Sequence, residues 1–205
     1  GFDQWLQRAG DRKVISIGRN NADVCWIPES SQRVVLQFDS GQIHVSLPTL
    51  GYHFMENAAA AAAMALAAGA TADEIQLGLK TAVIEPGRMT PRLLGNCLLV
   101  DDTYNASPHS TRAAIDWLSE QGGTKILAVG GLSELGDAAY SEMTQVGAYA
   151  KAKGIDRLIA TGLADPIADG FGQDAIYLES HDEVSDYLRS VISNADVILV
   201  KGSRS

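Results

Sequence analysis

Residues 98–129, LLVDDTYNASPHSTRAAIDWLSEQGGTKILAV, show how the larger part of this chain is built. An apolar strand is predicted at 98–101, and a polar loop follows it. A helix is predicted at 109–120, and a second apolar strand at 125–129. A strand, a helix and a strand at this spacing form a unit in which the two strands run parallel.

The same alternation continues to the end of the chain. Further strands are predicted at 157–161, 175–178 and 197–200, further helices at 139–153 and 181–193, and a short turn at 164–170. Consecutive branched apolar residues at 197–200 are typical of a strand buried on both faces, in the centre of a parallel sheet. Residues 86–205 therefore predict a parallel α/β domain.

The upstream region has a different pattern. Short strands rich in β-branched residues are predicted at 14–17, 24–27, 34–38 and 43–47. Short polar turns join them, and strands joined in this way pair antiparallel. We therefore expect a small antiparallel sheet.

Two helices follow this sheet. The first contains the alanine run 58–63 and ends at Gly69. The second begins at Thr71, with Glu74 three residues later, which is the pattern of a capping box. Segment 84–92 then contains two prolines and a glycine, so we place a domain boundary there. The predicted domains are 1–85 and 86–205.

Composition excludes several classes of function. The net charge is −9, with 16 basic and 25 acidic residues and no basic tract, which argues against a nucleic-acid partner. The longest apolar run, 58–70, is too short to span a membrane, and no signal peptide is apparent. Cys25 and Cys97 lack CxxC spacing and favour buried thiols in a reducing, cytoplasmic compartment. The four histidines are scattered, and we predict no metal ligands.

Polar and glycine-rich segments follow the predicted parallel strands at 101–108, 130–136, 161–162 and 201–204. Because the carboxyl ends of parallel strands share one edge of the sheet, these segments predict a ligand site there. The chain has no GxxxxGK[ST] loop to hold a triphosphate.

Simpler interpretations remain open for these residues. Gly130-Gly131 fits a plain tight turn, and Asp101-Asp102 fits a helix cap. Lys201 and Arg204 fit solvated surface charge. His53 fits a capping residue, whereas Asn57 is unfavourable inside a helix and indicates a specific hydrogen bond.

Five segments, in the same order and at similar spacing, resemble motifs of the Mur ligases, the ATP-dependent amino-acid ligases of peptidoglycan synthesis. They are LGYHFMENAAAA at 50–61, PGRM at 86–89, LVDDTYNASPHS at 99–110, VGGLSELG at 129–136 and VKGSRS at 200–205. Phe54, Gly131 and Met143 depart from the family pattern. The resemblance covers nearly the whole chain.

The resemblance implies a domain organisation and a reaction. Residues 1–85 would be the tail of the central ATPase domain, and 86–205 a Rossmann-like C-terminal domain without its last helix. ATP would activate the carboxylate of a UDP-N-acetylmuramoyl-tripeptide, and the amine of D-alanyl-D-alanine would attack it. The P-loop and the main ligands of Mg²⁺ would lie outside this chain, so the chain alone is predicted to be inactive.

The resemblance also assigns roles to individual residues. His53 would act catalytically near the phosphates, and Asn57 would contact adenine. Arg88 would lie by the adenine or ribose at the hinge between domains, and Asp102 would bind the ribose hydroxyls. The residues implied to face the incoming dipeptide are Tyr104, Asn105, Lys201, Ser203 and Arg204.

Two alternative functions remain. A ligase of the folylpolyglutamate synthetase type would share His53, Asn57 and Arg88, but is not expected to carry the loops at 104–108 and 201–205. A free-standing nucleotide- or peptide-binding module would lack catalysis altogether.

Overall fold

The computed structural model describes residues 2–132 and 135–203, and Phe2 by its backbone alone. The chain divides after Val83 into two units. This division lies next to the proline- and glycine-containing segment 84–92. No helix among the described residues is long and apolar enough to cross a membrane.

The described residues of the first unit form one sheet and three helices. Its sheet has the order β1 (Ile17–Gly18), β2 (Val24–Pro28), β3 (Arg33–Phe38) and β4 (Gly41–Ser46), and its helices are α1 (Phe2–Ala9), α2 (Tyr52–Ala67) and α3 (Ala72–Lys80). The core forms where buried strand residues such as Val34 and Leu36 pack against Ala59 and Ala62 of α2. Because alanine side chains are small, α2 lies close to the sheet.

Sheet pairing in this unit confirms most of the prediction and corrects one strand. β2, β3 and β4 pair antiparallel as expected, but β1 pairs parallel to β2 and contains only one residue, Ile17, of the predicted strand 14–17. The cause is the loop between them. The Asp23 carboxylate accepts hydrogen bonds from the Ser16 amide and hydroxyl at 2.7 and 2.6 Å, which closes a wide loop instead of a hairpin.

The second unit is a six-stranded sheet with helices. Its strands, in sheet order, are β5 (Thr90–Leu94), β6 (Cys97–Asp102), β10 (Val197–Lys201), β7 (Lys125–Val129), β8 (Arg157–Thr161) and β9 (Ala175–Leu178), and its helices are α4 (Pro108–Ser119), α5 (Ala139–Ala152), α6 (Asp165–Phe171) and α7 (His181–Val191). All neighbours pair parallel except β5 and β6, which pair antiparallel. The predicted parallel α/β domain is confirmed.

The centre of this sheet is buried on both of its faces. Successive residues Ile198 and Leu199 of β10 point to opposite faces, and neither is exposed. Ile198 belongs to the cluster in which α7 packs through Val184. β10 lies between β6 and β7, as the apolar run at 197–200 predicts, so the position of the loop after it is fixed from both sides.

The structure differs from the sequence prediction at two elements of this unit. The predicted turn 164–170 is instead α6, a short helix after a 3₁₀ turn at Gly162–Ala164. β5 was not predicted, since Pro91 disfavours a strand and Leu93 and Leu94 are exposed. It lies at the sheet edge, where a proline is tolerated.

Candidate functional site

The loops after β6, β7, β8 and β10 meet at one edge of the second unit, as the sequence predicts. A cavity of about 750 Å³ opens there. Thr103, Gly130, Gly162 and Ser203 line it at the loops. It continues over apolar side chains of the sheet and of α7, including Leu99, Ile159, Ile198, Val200, Val184 and Leu188. Such a cavity, polar at the loops and apolar along the sheet, suits a small ligand with one charged end.

Asp102 and Lys201 form a buried ion pair at this edge. They are directly paired residues at the ends of β6 and β10. The Lys201 ammonium lies 2.6 Å from Asp102 Oδ2, and the two side chains are only 2% and 11% exposed. Burial raises the pKa of the Asp102 carboxyl above its usual value, and the Lys201 ammonium opposes this effect without cancelling it.

The pair connects two further segments. Lys201 Nζ also donates to the Asn105 carbonyl at 3.1 Å, and Asp102 Oδ1 accepts the Met89 N–H at 3.1 Å. An ionised carboxylate can accept about four hydrogen bonds. Asp102 accepts one from the Lys201 ammonium and one from the Met89 N–H, so further lone pairs remain on it. Asp102 thus joins the end of β10 to segment 87–89 through one buried carboxylate.

Segment 87–89 lies against the loop after β6. The Tyr104 N–H donates to the Gly87 carbonyl at 2.8 Å, and the Arg88 guanidinium lies 3.9 Å from the centre of the Tyr104 ring. Gly87 has φ +78°, and a Cβ there would lie 2.9 Å from the Tyr104 nitrogen, so only glycine fits. Arg88 and Tyr104, predicted separately, form one cation–π pair.

The other residues of the loop after β6 have local roles. Asp101 accepts hydrogen bonds from the Thr103 amide and hydroxyl, which shapes the turn. Ser107, and neither Asp101 nor Asp102, caps α4, so the capping alternative for the two aspartates is wrong. Asn105 is exposed, and its side-chain oxygen accepts the Ala106 N–H.

The glycines at 130–131 do more than form a turn. The Gly130 N–H donates to the Lys201 carbonyl at 2.8 Å, and a Cβ on Gly130 would lie 3.5 Å from the Gly202 Cα. A Cβ on Gly131 would lie 2.8 Å from Leu163 Cβ. A side chain at Gly131 would clash with Leu163, in the loop after β8, and Gly130 lies close to Gly202, in the loop after β10. The two glycines therefore allow the loops after β7, β8 and β10 to come together.

The remaining predicted residues of the second unit divide into two cases. Ser203 is half-buried, lines the cavity and donates its N–H to the Gly131 carbonyl at 3.4 Å. Arg204 lies outside the described residues, as do Ser133 and Glu134 of the loop after β7. Lys201 is not the solvated surface charge of the simpler interpretation, because it is buried.

In the first unit, His53 and Asn57 lie one turn apart near the start of α2. Gly51 precedes this helix with φ +99°, and it provides no side-chain cap. The His53 ring lies 4.5 Å from the Phe54 ring and is half-buried, whereas Asn57 is exposed. Their spacing of four residues places both on one face of the helix.

The described residues contain no group of three or more His, Cys, Asp or Glu side chains that could hold a metal ion.

The two cysteines are free thiols. Cys97 is buried, and burial raises the pKa of its thiol, whereas Cys25 is half-buried.

Comparison with known proteins agrees with this architecture. Residues 87–204 match the family "Mur ligase, glutamate ligase domain". The chain is 37% identical to UDP-N-acetylmuramoyl-tripeptide–D-alanyl-D-alanine ligase of Escherichia coli K12, over 98% of this chain and 46% of that protein. The chain belongs to the Mur ligase family.

Solved structures show the same resemblance. A crystal structure of MurF from Acinetobacter baumannii superposes with a TM-score of 0.82 and 31% identity, over 99% of this chain and 47% of that one. MurF of Thermotoga maritima in complex with ADP shares the fold, with a TM-score of 0.79 and 24% identity over 98% of this chain and 48% of that one. The chain thus spans about half the length of the relatives it matches.

Proposed function

We propose that the polypeptide containing this chain is an ATP-dependent ligase that joins D-alanyl-D-alanine to UDP-N-acetylmuramoyl-tripeptide in peptidoglycan synthesis. The observation that carries the proposal is the 37% identity to the E. coli enzyme of that name over 98% of this chain. The proposal includes a cytoplasmic location, where ATP and the UDP-linked substrate are available. It also places residues 1–85 in the ATPase domain and 86–205 in the C-terminal domain.

For the nucleotide, we assign five residues, and these include Tyr104, predicted from the sequence to face the dipeptide, because its ring lies against the Arg88 guanidinium. The Asn57 amide contacts adenine, and the Arg88–Tyr104 pair supplies a flat cationic surface beside the adenine or ribose. Asp102 accepts hydrogen bonds from the ribose hydroxyls through its remaining lone pairs. His53 contacts the phosphates as the charge of the acyl phosphate develops.

For the dipeptide, we assign the loops at the sheet edge. The small apolar body of D-alanyl-D-alanine fits the cavity, and Ser203, which lines it, offers a polar contact. The exposed Asn105 side chain offers a second polar contact on the loop after β6. Between the two cations predicted to bind the dipeptide carboxylate, the burial of Lys201 favours Arg204. Mg²⁺ would neutralise charge on the phosphates, and we propose that its ligands lie outside this chain.

The test is a comparison of substrates by mass spectrometry. The complete protein is incubated with ATP and either UDP-N-acetylmuramoyl-tripeptide plus D-alanyl-D-alanine, or a folate plus L-glutamate. We expect product only from the first mixture. Product from the second mixture would support the folylpolyglutamate synthetase alternative, and product from neither would support a binding module.

A further inference from the structure

We propose that Lys201 is a positioning residue, which anchors the Asp102 carboxylate and the Asn105 carbonyl and, through Asp102, seats segment 87–89, so that the groups assigned to the nucleotide are held in place. The inference rests on the proposed function for its kinetic consequence. Its structural part, the anchoring itself, stands on the contacts of the second unit alone.

The first step is that Lys201 is committed to the protein. Its side chain is 2% exposed, and its ammonium donates to Asp102 Oδ2 and to the Asn105 carbonyl. An ammonium has three donors, so two of the three are used within the protein. Withdrawing such a group to bind a substrate would leave the buried Asp102 carboxylate without its counter-charge, which is unfavourable.

The second step is that the backbone of Lys201, from which the ammonium extends, is held in place. Lys201 ends the central strand β10, whose backbone pairs with β6 on one side and β7 on the other. Its carbonyl accepts the Gly130 N–H. A lysine on a backbone held from both sides presents its charge at one place, which suits an anchor.

The third step leads from the ion pair to segment 87–89. The second oxygen of Asp102 accepts the N–H of Met89, a fully buried residue with φ +47°. A left-handed backbone is unfavourable for a residue with a long side chain, so surrounding contacts must hold it. The Asp102 hydrogen bond is one such contact, and the neighbouring Arg88 lies on Tyr104.

Lys201 thus acts through other residues. Without its ammonium, Asp102 loses its counter-charge, the Asn105 carbonyl loses a donor, and the hydrogen bond to Met89 weakens. We expect the ribose and adenine contacts to suffer, while the cavity assigned to the dipeptide is less affected.

The test uses the complete ligase with the variants Lys201→Met, Asp102→Asn and the double variant. Lys151→Met is the matched control, because Lys151 also pairs with an aspartate, Asp174, but on the surface. We expect Lys201→Met to raise KM for ATP about tenfold and KM for D-alanyl-D-alanine less than about twofold. The double variant should match Asp102→Asn in its KM for ATP, since Lys201 acts on the nucleotide contacts through Asp102.

Hydrogen–deuterium exchange of the same proteins tests the anchoring without any assay of activity. Lys201→Met should speed exchange in peptides that contain the Met89 and Tyr104 amides, and Lys151→Met should not. Unchanged exchange at these amides would overturn the anchoring, even if the complete protein proves to have no ligase activity.

The kinetic outcomes are equally decisive. A selective rise in KM for the dipeptide, equal rises for both substrates, or no change would overturn the positioning role. If Lys201→Met does not fold, the double variant decides, because neutral Met and Asn leave no unpaired charge. A KM for ATP equal to that of Asp102→Asn supports the proposal, and a further rise overturns it.

Discussion

Asp102 is the residue on which most of the candidate site depends. The sequence shows Asp102 as one of two adjacent carboxylates at the end of a buried strand. It shows Lys201 directly after another buried strand. Their pairing could not be predicted, because 99 residues separate them and only the strand order β6–β10–β7 brings them together. The Arg88–Tyr104 stack was not predicted either, because it depends on the unpredicted strand β5, which pairs with β6 and places segment 87–89 beside the loop after β6.

Asp102→Asn tests the proposed ribose contact. In the complete ligase we expect KM for ATP to rise about tenfold with kcat little changed, because the contact exists in the ground and transition states alike. Asparagine is preferable to alanine because its side-chain oxygen can still accept a hydrogen bond from the Lys201 ammonium, although the counter-charge is lost. Unchanged KM for ATP with a large rise in KM for the dipeptide would refute the assignment.

Arg204→Ala tests the contact with the dipeptide carboxylate. We expect KM for D-alanyl-D-alanine to rise about tenfold or more, since a charge-assisted hydrogen bond is lost. The C-terminal amide of the dipeptide should be used equally by variant and wild type. Arg157→Ala is the control, because Arg157 begins β8 at the opposite edge of the sheet. Equal losses with both dipeptides would argue against the pairing.

Among the elements, the regular helices and parallel strands were predictable because each carries its own pattern. β5 and α6 were not, since their stability comes from neighbours. α6 has only seven residues and includes Gly170, yet it packs closely on α5. The predicted orientation of β1 was wrong. The Ser16–Asp23 hydrogen bonds close the loop between β1 and β2, and such polar contacts cannot be read from the spacing of apolar residues.

The close contact of α5 and α6 predicts a large effect of one methyl group. A Cβ on Gly147 would overlap the Ile167 carbonyl oxygen, so Gly147→Ala should destabilise the second unit by about 3 kcal/mol. Gly78→Ala is the control, since Gly78 is an exposed helical glycine with open space around it, and should stabilise the first unit by about 0.5–1 kcal/mol. Urea unfolding measures both. A neutral Gly147→Ala would contradict the packing.

The capping box of α3 predicts a pH dependence. The pKa of Glu74 is lowered because its carboxylate accepts hydrogen bonds from the Thr71 amide and hydroxyl. A lowered pKa in the folded state gives stability that is present at neutral pH and lost as the pH falls through that pKa. The difference in unfolding free energy between wild type and Glu74→Gln should therefore shrink on acidification below about pH 4. A constant difference in urea unfolding at pH 7 and pH 3 would be contrary to this.

At the scale of the whole molecule, composition and alternation alone predicted two regions of different architecture, and the chain divides next to the proline-rich segment. The ligand edge followed from the rule for parallel sheets. The identity of the ligands did not follow from it, because a polar sheet edge fits many molecules. The family motifs supplied that part, and the geometry shows how their residues contact one another within each unit.

The central proposal is that this chain supplies nucleotide and dipeptide contacts to a ligase whose triphosphate loop lies elsewhere in the polypeptide. No GxxxxGK[ST] segment occurs in its 205 residues. The chain by itself is therefore expected to be inactive, although it contains the residues that we assign to the nucleotide and the dipeptide.

Phosphate release, measured side by side for the complete protein and for the 205-residue chain, tests this most directly. We predict that the complete protein releases phosphate only when ATP, UDP-N-acetylmuramoyl-tripeptide and D-alanyl-D-alanine are all present, and that the chain alone releases none. Release by the chain alone, or release by the complete protein that does not depend on the dipeptide, would contradict the account.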